Sequence, residues 1–227
     1  MATTRGGRQR IPRPPTARAG GPPPWAHLPP ERRRFSLAEV RDACARLAPP
    51  RPPQLVAPGS RAAAVLMAMF EEDGEARVVL TKRPDHMPSH QGEIAFPGGK
   101  VQPEADRTVV DAALREAEEE VGLARDAVEI AGELDGISTL ATRFTITPFV
   151  GLLADRPELT PDPSEVVKVL AVPLSALLDD GAFREERWDI GMPDRSVYFF
   201  ELPGETVWGA TARILASFLA HLTASPK

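Results

Sequence analysis

The sequence contains one cysteine, Cys44, so no disulfide can form within the chain. Chains without disulfides are typical of reducing compartments, and we predict a cytoplasmic location. No apolar run approaches the roughly 20 residues that a membrane-spanning helix needs. The first residues also lack the apolar segment of a secretory signal. These absences predict a soluble protein that has no membrane partner.

Lysine is missing from residues 1–51, which hold eleven arginines and only three acidic residues. This segment carries a charge of +8. Because the net charge of the whole chain is −5, the remaining residues carry −13. A basic arm can contact nucleic acid or anionic lipid, and it can also resemble an organelle transit peptide. A solvated tail is the simpler interpretation. The acidic remainder makes nucleic acid an unexpected partner and suits a site that concentrates cations.

Proline is concentrated near the beginning of the chain, where thirteen of the 25 prolines fall in the first 60 residues. Residues 1–35 are rich in arginine, glycine and proline, and we predict a disordered arm. In residues 36–58, Ser36–Glu39 has the pattern of a capping box that opens a short helix ending near Leu47. A proline-rich connector follows. Residues 59–224 then provide enough chain for one domain with a core.

The pattern of elements in this domain predicts an α/β fold. An Asp73-Gly74 turn between two β-favouring runs predicts a hairpin. Thr108–Val121 is the clearest helix, with Gly122 placed to cap its end. Thr206–Ala220 is predicted to be the C-terminal helix. Because strands dominate and βαβ alternation is absent, a mixed sheet covered by helices is expected.

Three glutamates share one face of the predicted helix. At about 100° per residue, Glu119 and Glu120 both lie within roughly 60° of Glu116. Like charges at these spacings destabilise a helix by about 0.2–0.5 kcal/mol per pair. An exposed acidic face would tolerate this cost. A hard divalent cation would remove it, because carboxylate oxygens are its preferred ligands. The helix alone leaves both interpretations open.

The residues upstream of the helix favour a ligand. Phe96–Lys100 reads F-P-G-G-K, a short strand that runs into a pair of glycines. Glycines allow the backbone to approach a ligand closely. A strand, a Gly-Gly loop and an acidic helix face together offer donors, cation ligands and space for a diphosphate.

At this point the sequence resembles the Nudix hydrolases, whose signature is G-x5-E-x7-R-E-U-x-E-E-x-G-U, with U aliphatic. Arg115–Leu123 reads R-E-A-E-E-E-V-G-L and matches its second half. Fifteen residues lie between Gly99 and Arg115, two more than in the signature. The signature's first glutamate therefore falls on Arg107. Glu104 and Asp106 are the candidates to replace it.

A longer loop of this kind is similar to the branch of coenzyme A pyrophosphatases. That branch adds the motif L-L-T-x-R-[SA]-x3-R-x3-G-x3-F-P-G-G, which Arg83, Gly92 and Phe96–Gly99 match in spacing. Pro88 stands where the motif has its second arginine. An arginine there would suit the 3′-phosphate of coenzyme A, because a guanidinium binds phosphate through two hydrogen bonds. The similarity extends over roughly residues 60–220.

The resemblance implies the Nudix fold, an α/β/α sandwich around a mixed β-sheet, for residues 59–224. It implies hydrolysis of the coenzyme A diphosphate to 3′,5′-ADP and 4′-phosphopantetheine with Mg²⁺ or Mn²⁺. Another small nucleotide, such as ADP-ribose or a dinucleotide, is the alternative substrate. A catalytically silent ligand sensor is the alternative function. A homodimer is a further possibility.

The resemblance also assigns roles to individual residues. The implied metal ligands are Glu116, Glu119 and Glu120, held in place by Arg115. Either Glu119 or Glu165 is the expected general base. The expected substrate-binding residues are Arg83, Gly98, Gly99 and Lys100. Two aromatic residues, Trp208 and Phe200, are left out of the predicted site, because aromatic side chains at such positions are usually core.

Overall fold

The computed structural model describes residues 5–86, 91–139 and 142–224. Pro88 lies outside the described residues. The strands are β1 (Arg18–Ala19), β2 (Arg61–Glu72), β3 (Glu75–Lys82), β4 (Ile94–Ala95), β5 (Gly98–Lys100), β6 (Glu129–Glu133), β7 (Ile137–Thr139), β8 (Phe144–Leu152), β9 (Lys168–Pro173), β10 (Phe183–Ile190), β11 (Met192–Leu202) and β12 (Glu205–Trp208). The helices are α1 (Leu37–Cys44), α2 (Val109–Val121), α3 (Leu174–Leu178) and α4 (Gly209–Ala224).

The larger sheet is mixed, as predicted. Its central order is β4-β3-β2-β8-β6, with β5 paired to β2, β7 to β8 and β9 to β3. Strands β2 and β8 are parallel, from Arg61 opposite Phe144 to Met69 opposite Leu152. The other pairs are antiparallel. The predicted hairpin joins β2 and β3, and Asp73 and Gly74 have positive φ angles of 56° and 70°. A two-residue hairpin turn with both φ angles positive matches the twist of its strands.

Strand β2 has two buried faces, because successive side chains point to opposite sides of a sheet. Leu66 and Phe70 pack with the apolar side of α2. Met67 and Met69 pack on the opposite side, in the larger core that includes α1, α3 and α4. Helices therefore cover both faces of the sheet. This layered α/β arrangement agrees with the predicted fold class.

A smaller antiparallel sheet, in the order β1-β10-β11-β12, adjoins this domain. Three of its aromatic residues, Phe183, Tyr198 and Phe200, join the larger core. The Trp25 ring lies 5.2 Å from that of Phe183 and 6.1 Å from that of Phe200, measured between centroids. The second sheet thus extends the core and provides another wall beside the larger sheet.

The arm differs from its predicted disorder, because residues 6–25 contact the second sheet and residues 33–35 contact α3 and β3. The Gly6 amide donates to the Leu202 carbonyl at 2.8 Å, and Arg13 pairs with buried Glu186 at 2.8 Å. Trp25 is 1% exposed. Average composition does not predict this packing. One large buried apolar side chain and a few arginines with acidic partners are enough to hold a proline-rich segment against the domain. The domain boundaries stay predictions.

Some element bounds also differ from the predictions. Helix α1 ends at Cys44, because the chain tightens into single turns through Leu47. The C-terminal helix starts at Gly209, because residues 205–208 pair with β11 as a strand. Gly98–Lys100 is a short strand against β2. Within the described ranges, no helix has the length and hydropathy to cross a bilayer.

Candidate active site

Helix α2 is fixed at both ends by its own sequence. Thr108 and Asp111 form a capping box at the N-terminus, and Gly122 adopts the left-handed conformation at the C-terminus, with φ of 70°. The apolar side of α2 packs against β2 and comprises Ala112, Ala113, Ala117 and Val121. This packing turns Glu116 and Glu120 toward β5. The predicted helix is confirmed.

Glu120 is the most deeply buried of the three predicted glutamates, at 3% exposure. Its Oε2 accepts a hydrogen bond from the Gly98 amide at 3.4 Å, and its Oε1 lies 3.8 Å from the Arg83 guanidinium. Burial raises the pKa of Glu120 to about 8, although Arg83 opposes the shift; the nearby Glu116 charge raises it further. The site therefore disfavours this negative charge unless a cation is close by.

Glu116 lies against the glycine pair. A Cβ atom at Gly99 would stand 2.3 Å from Glu116 Oε2, and one at Gly98 would stand 2.4 Å from the Ala64 carbonyl oxygen. Any side chain at either position would displace the carboxylate or the strand. Burial also raises the pKa of Glu116, against the attraction of Arg115. The glycines are thus required for close approach.

Arg115 is buried beneath this cluster and organises it. Its Nε and Nη2 donate to the two carboxylate oxygens of Asp106 at 2.9 and 3.0 Å. Its Nη1 donates to Glu116 at 2.9 Å and to Glu119 at 3.0 Å, and Nη2 donates to the Lys100 carbonyl at 3.0 Å. Arg115 therefore joins α2 to β5 and to the following loop. Of the two acidic candidates in that loop, Asp106 holds Arg115 and Glu104 is exposed.

A cleft of about 690 Å³ opens over the buried glutamates. Most of the predicted site residues line it: Arg83, Gly98, Gly99, Lys100, Glu116, Glu120 and Glu165. Glu119 does not line the cleft. Its side chain is 60% exposed and pairs with Arg115. The structure thus brings Glu165 to the cleft from a distant part of the sequence and leaves Glu119 at the edge of the cluster.

The opposite wall of the cleft was missed by the sequence predictions. It comes from the second sheet and α4, through Trp188, Arg195, Tyr198, Trp208 and Arg213. Trp208, predicted to be core, is half-buried and faces the cleft, whereas Phe200 is fully buried as expected. The similarity of Val207–Arg213 to the family was the only feature of the sequence that pointed to Trp208 and Arg213 as residues of the site. No local pattern marked Arg195.

The carboxylates of Glu116 and Glu120 suit a divalent cation by their chemistry. Mg²⁺ is commonly held by one or two carboxylates, with water and substrate phosphate completing its ligands. In the described part of the chain, no three acidic, histidine or cysteine side chains converge closely enough to hold an ion by themselves. The third glutamate of the helix face, Glu119, pairs with Arg115 outside the cleft. Glu116 and Glu120, which line the cleft together, therefore form a partial set whose chemistry suits such an ion.

Comparisons of the sequence with known families and known proteins agree on one family. Residues 60–190 match the family described as NUDIX domain. The chain is 40% identical over 160 residues to "Nudix hydrolase 22, chloroplastic" of Arabidopsis thaliana, covering 67% of this chain and 52% of that protein. It is 34% identical over 166 residues to "Uncharacterized Nudix hydrolase NudL" of Photorhabdus laumondii, covering 73% and 87%. The chain thus spans about half the length of the Arabidopsis relative.

A solved structure supports the fold. The crystal structure of a MutT/nudix family protein from Enterococcus faecalis superposes with a TM-score of 0.51 at 16% identity, covering 86% of this chain and 72% of that one. At this identity the likeness concerns the fold alone. It confirms the predicted α/β/α sandwich around a mixed sheet.

Proposed function

Since the chain belongs to the NUDIX domain family, we propose that it is a divalent-metal-dependent hydrolase of the diphosphate in coenzyme A or a related nucleoside diphosphate derivative. The family and its hydrolase relatives confirm the predicted enzyme class, a pyrophosphohydrolase, for this domain. One observation supports the proposal most strongly. The cleft joins the buried carboxylate of Glu120, the half-buried carboxylate of Glu116, a glycine backbone and the cations Arg83 and Lys100.

Glu116 and Glu120 are the proposed ligands of Mg²⁺ or Mn²⁺, with a Gly98 or Gly99 carbonyl beside them. When bound, such an ion neutralises diphosphate oxygens and makes water a better nucleophile. Burial disfavours both carboxylate charges, so the site has a free-energy reason to take a cation. Glu119 does not line the cleft and would have to turn toward it to join the set.

The remaining residues of the cleft have complementary roles in the proposal. Arg83 and Lys100 attract the charged diphosphate, and Arg115 acts as a positioning residue for Glu116. Glu165 accepts the proton of the attacking water, because it lines the cleft and Glu119 does not. Water adds to one phosphorus, the bridging P–O bond breaks, and the other phosphate leaves as an anion. Two phosphate monoesters result.

Coenzyme A is the proposed substrate because Arg83, Gly92 and Phe96–Gly99 match the motif of that branch. Water would divide it into 3′,5′-ADP and 4′-phosphopantetheine. ADP-ribose and dinucleotides carry the same linkage and are the alternatives. A cytoplasmic location and a homodimer stay part of the proposal.

Product analysis tests the proposed activity. The full chain is incubated with Mg²⁺ or Mn²⁺ and, in separate reactions, coenzyme A, ADP-ribose and diadenosine tetraphosphate. We expect mass spectrometry to show 3′,5′-ADP and 4′-phosphopantetheine from coenzyme A. Cleavage of only the other nucleotides would show that the substrate assignment is wrong. Binding of these compounds without turnover would instead favour a ligand sensor.

A further inference from the structure

Two arginines in the cleft lack a partner. Within the described ranges, neither the Arg195 nor the Arg213 side chain makes a hydrogen bond or an ion pair, although both residues line the cleft. Arg184, on the neighbouring strand, pairs with Glu186 and Glu201. A half-buried charged side chain such as Arg195 is normally matched in this way, whereas Arg213 is exposed to solvent. The wall opposite the glutamates therefore presents a half-buried guanidinium that no carboxylate of the described residues contacts, with a second, exposed guanidinium at the same cleft.

The two arginines come from different elements and act on each other. Arg195 lies on β11, directly opposite Trp188 of β10, and Arg213 follows Trp208 in the first turns of α4. Burial lowers the pKa of the Arg195 guanidinium, and the Arg213 charge lowers it further. Two neighbouring cations repel each other unless an anion lies between them. A phosphate suits this position because guanidinium groups bind its oxygens through paired hydrogen bonds.

The surrounding wall has the chemistry of a nucleoside site. Trp208 is half-buried, and its ring centroid lies 6.4 Å from that of Trp188. The Trp188 Nε1 donates to Glu186 at 2.7 Å, which fixes that indole. Indole rings offer a flat apolar surface for a planar base. A cleft of about 690 Å³ is also within the usual size of small-molecule sites.

We propose that Arg195 and Arg213 form a subsite for a phosphate monoester on the nucleoside half of the substrate, with the base against Trp208. This inference rests on the proposed hydrolysis in the same cleft. The monoester is distinct from the diphosphate, which lies beside Glu116 and Glu120. The subsite supplies, from the opposite wall, the phosphate recognition that the family-like motif assigns to an arginine at position 88. Lys82 is not available for it, because Lys82 pairs with buried Glu205 at 2.9 Å.

The test compares two substrates that differ only in this phosphate, coenzyme A and dephospho-coenzyme A. Wild-type protein should have the higher kcat/KM on coenzyme A. In Arg195→Gln and Arg213→Gln the ratio of the two kcat/KM values should fall about 10-fold, the effect of losing one charge-assisted hydrogen bond. Arg195→Lys should restore part of the ratio. Arg46→Gln is the matched control, because Arg46 is exposed and does not line the cleft.

A binding measurement separates this proposal from the proposed activity. Calorimetry of the wild-type chain should show tighter binding of 3′,5′-ADP than of 5′-AMP, and Arg213→Gln should lose that difference. The wild type could cleave neither form of coenzyme A and still bind 3′,5′-ADP more tightly than 5′-AMP. In that case the proposed activity is wrong and the proposed subsite is supported. An unchanged substrate ratio in folded variants, or equal binding of both nucleotides by the wild type, would overturn the subsite. Circular dichroism checks that each variant is folded.

Discussion

Asp106 and Arg115 form a buried ion pair beneath the candidate site, with two hydrogen bonds of 2.9 and 3.0 Å. Asp106→Asn keeps the size of the side chain and removes its charge, leaving Arg115 buried without its main partner. Loss of one member of a buried pair costs about 3–5 kcal/mol, and we expect about 3 because Glu116 still contacts Arg115. Urea unfolding at pH 7 measures this loss. Glu104→Gln, on the exposed part of the same loop, should change stability by less than about 0.5 kcal/mol.

The same pair sets a pH dependence. Arg115 holds the pKa of the Asp106 carboxyl below its usual value in the folded protein. A group with this shift stabilises the fold above its unfolded pKa of about 3.9, and its contribution is lost as the pH falls through the folded pKa. The stability difference between wild type and Asp106→Asn should therefore be full at pH 7 and narrow below about pH 4. A difference that stays constant with pH would contradict the role of the charge.

Glu165 and Glu119 make different predictions as the general base. If Glu165 accepts the proton, Glu165→Gln should lower kcat by about 10²-fold or more and flatten the acidic limb of the pH profile. Glu119→Gln should lower kcat less, because that side chain is exposed and held by Arg115. Steady-state kinetics from pH 5 to 9 on both variants decides between them. The reverse ranking would assign the base to Glu119.

Single residues were predictable where their chemistry depended on local spacing. Helical periodicity predicted that Glu116 and Glu120 share a face, and both line the cleft. It could not show that Arg115 turns Glu119 to the edge, since this depends on Asp106 and Lys100 around the guanidinium. The position of Arg195 in the cleft could not be predicted from the sequence, for another reason. Only the pairing of β10 with β11 brings it to the cleft, and no short motif records that contact.

At the scale of elements, the capping residues of α2 determine where the helix begins and ends. Thr108→Ala removes the side-chain oxygen that accepts from the Asp111 amide at 3.3 Å. Loss of such an N-cap costs about 1 kcal/mol, and Tm should fall by a few degrees. Thr108→Ser keeps the hydroxyl and serves as the control. Equal Tm values for the Ala and Ser variants would show that the cap contributes nothing measurable.

Elements with strong local signals were predicted well. The hairpin at Asp73-Gly74 and helix α2 carry their own turn and cap residues, and both are confirmed. Strand β12 was predicted as the start of a helix, because residues 206–208 have no helix-breaking residue before Gly209. Pairing with β11 decides its conformation instead. Such pairing joins strands that are brought together by the rest of the fold, so local propensity does not report it.

At the scale of the whole molecule, the arm is the largest departure from the predictions. Trp25 anchors it in the core beside Phe183 and Phe200. Trp25→Ala should therefore lower the free energy of unfolding by about 3 kcal/mol, the effect of emptying a large buried site. Arg10→Ala, exposed in the same arm, should have little effect. A Trp25→Ala variant as stable as the wild type would support the disorder that the composition predicts.

The central claim is that the carboxylates of Glu116 and Glu120 on α2 hold the cation that hydrolysis needs. The most direct measurement is kcat on coenzyme A for wild type, Glu120→Gln and Glu118→Gln, each stripped with chelator and titrated with Mg²⁺ or Mn²⁺. Glu118 is the matched control because it lies on the same helix, pairs with Arg125 at 2.7 Å and does not line the cleft. Wild type and Glu118→Gln should be inactive in chelator and regain activity with the ion, whereas Glu120→Gln should stay about 10²-fold slower. Undiminished turnover in chelator, or a folded Glu120→Gln variant as fast as Glu118→Gln, would contradict the claim.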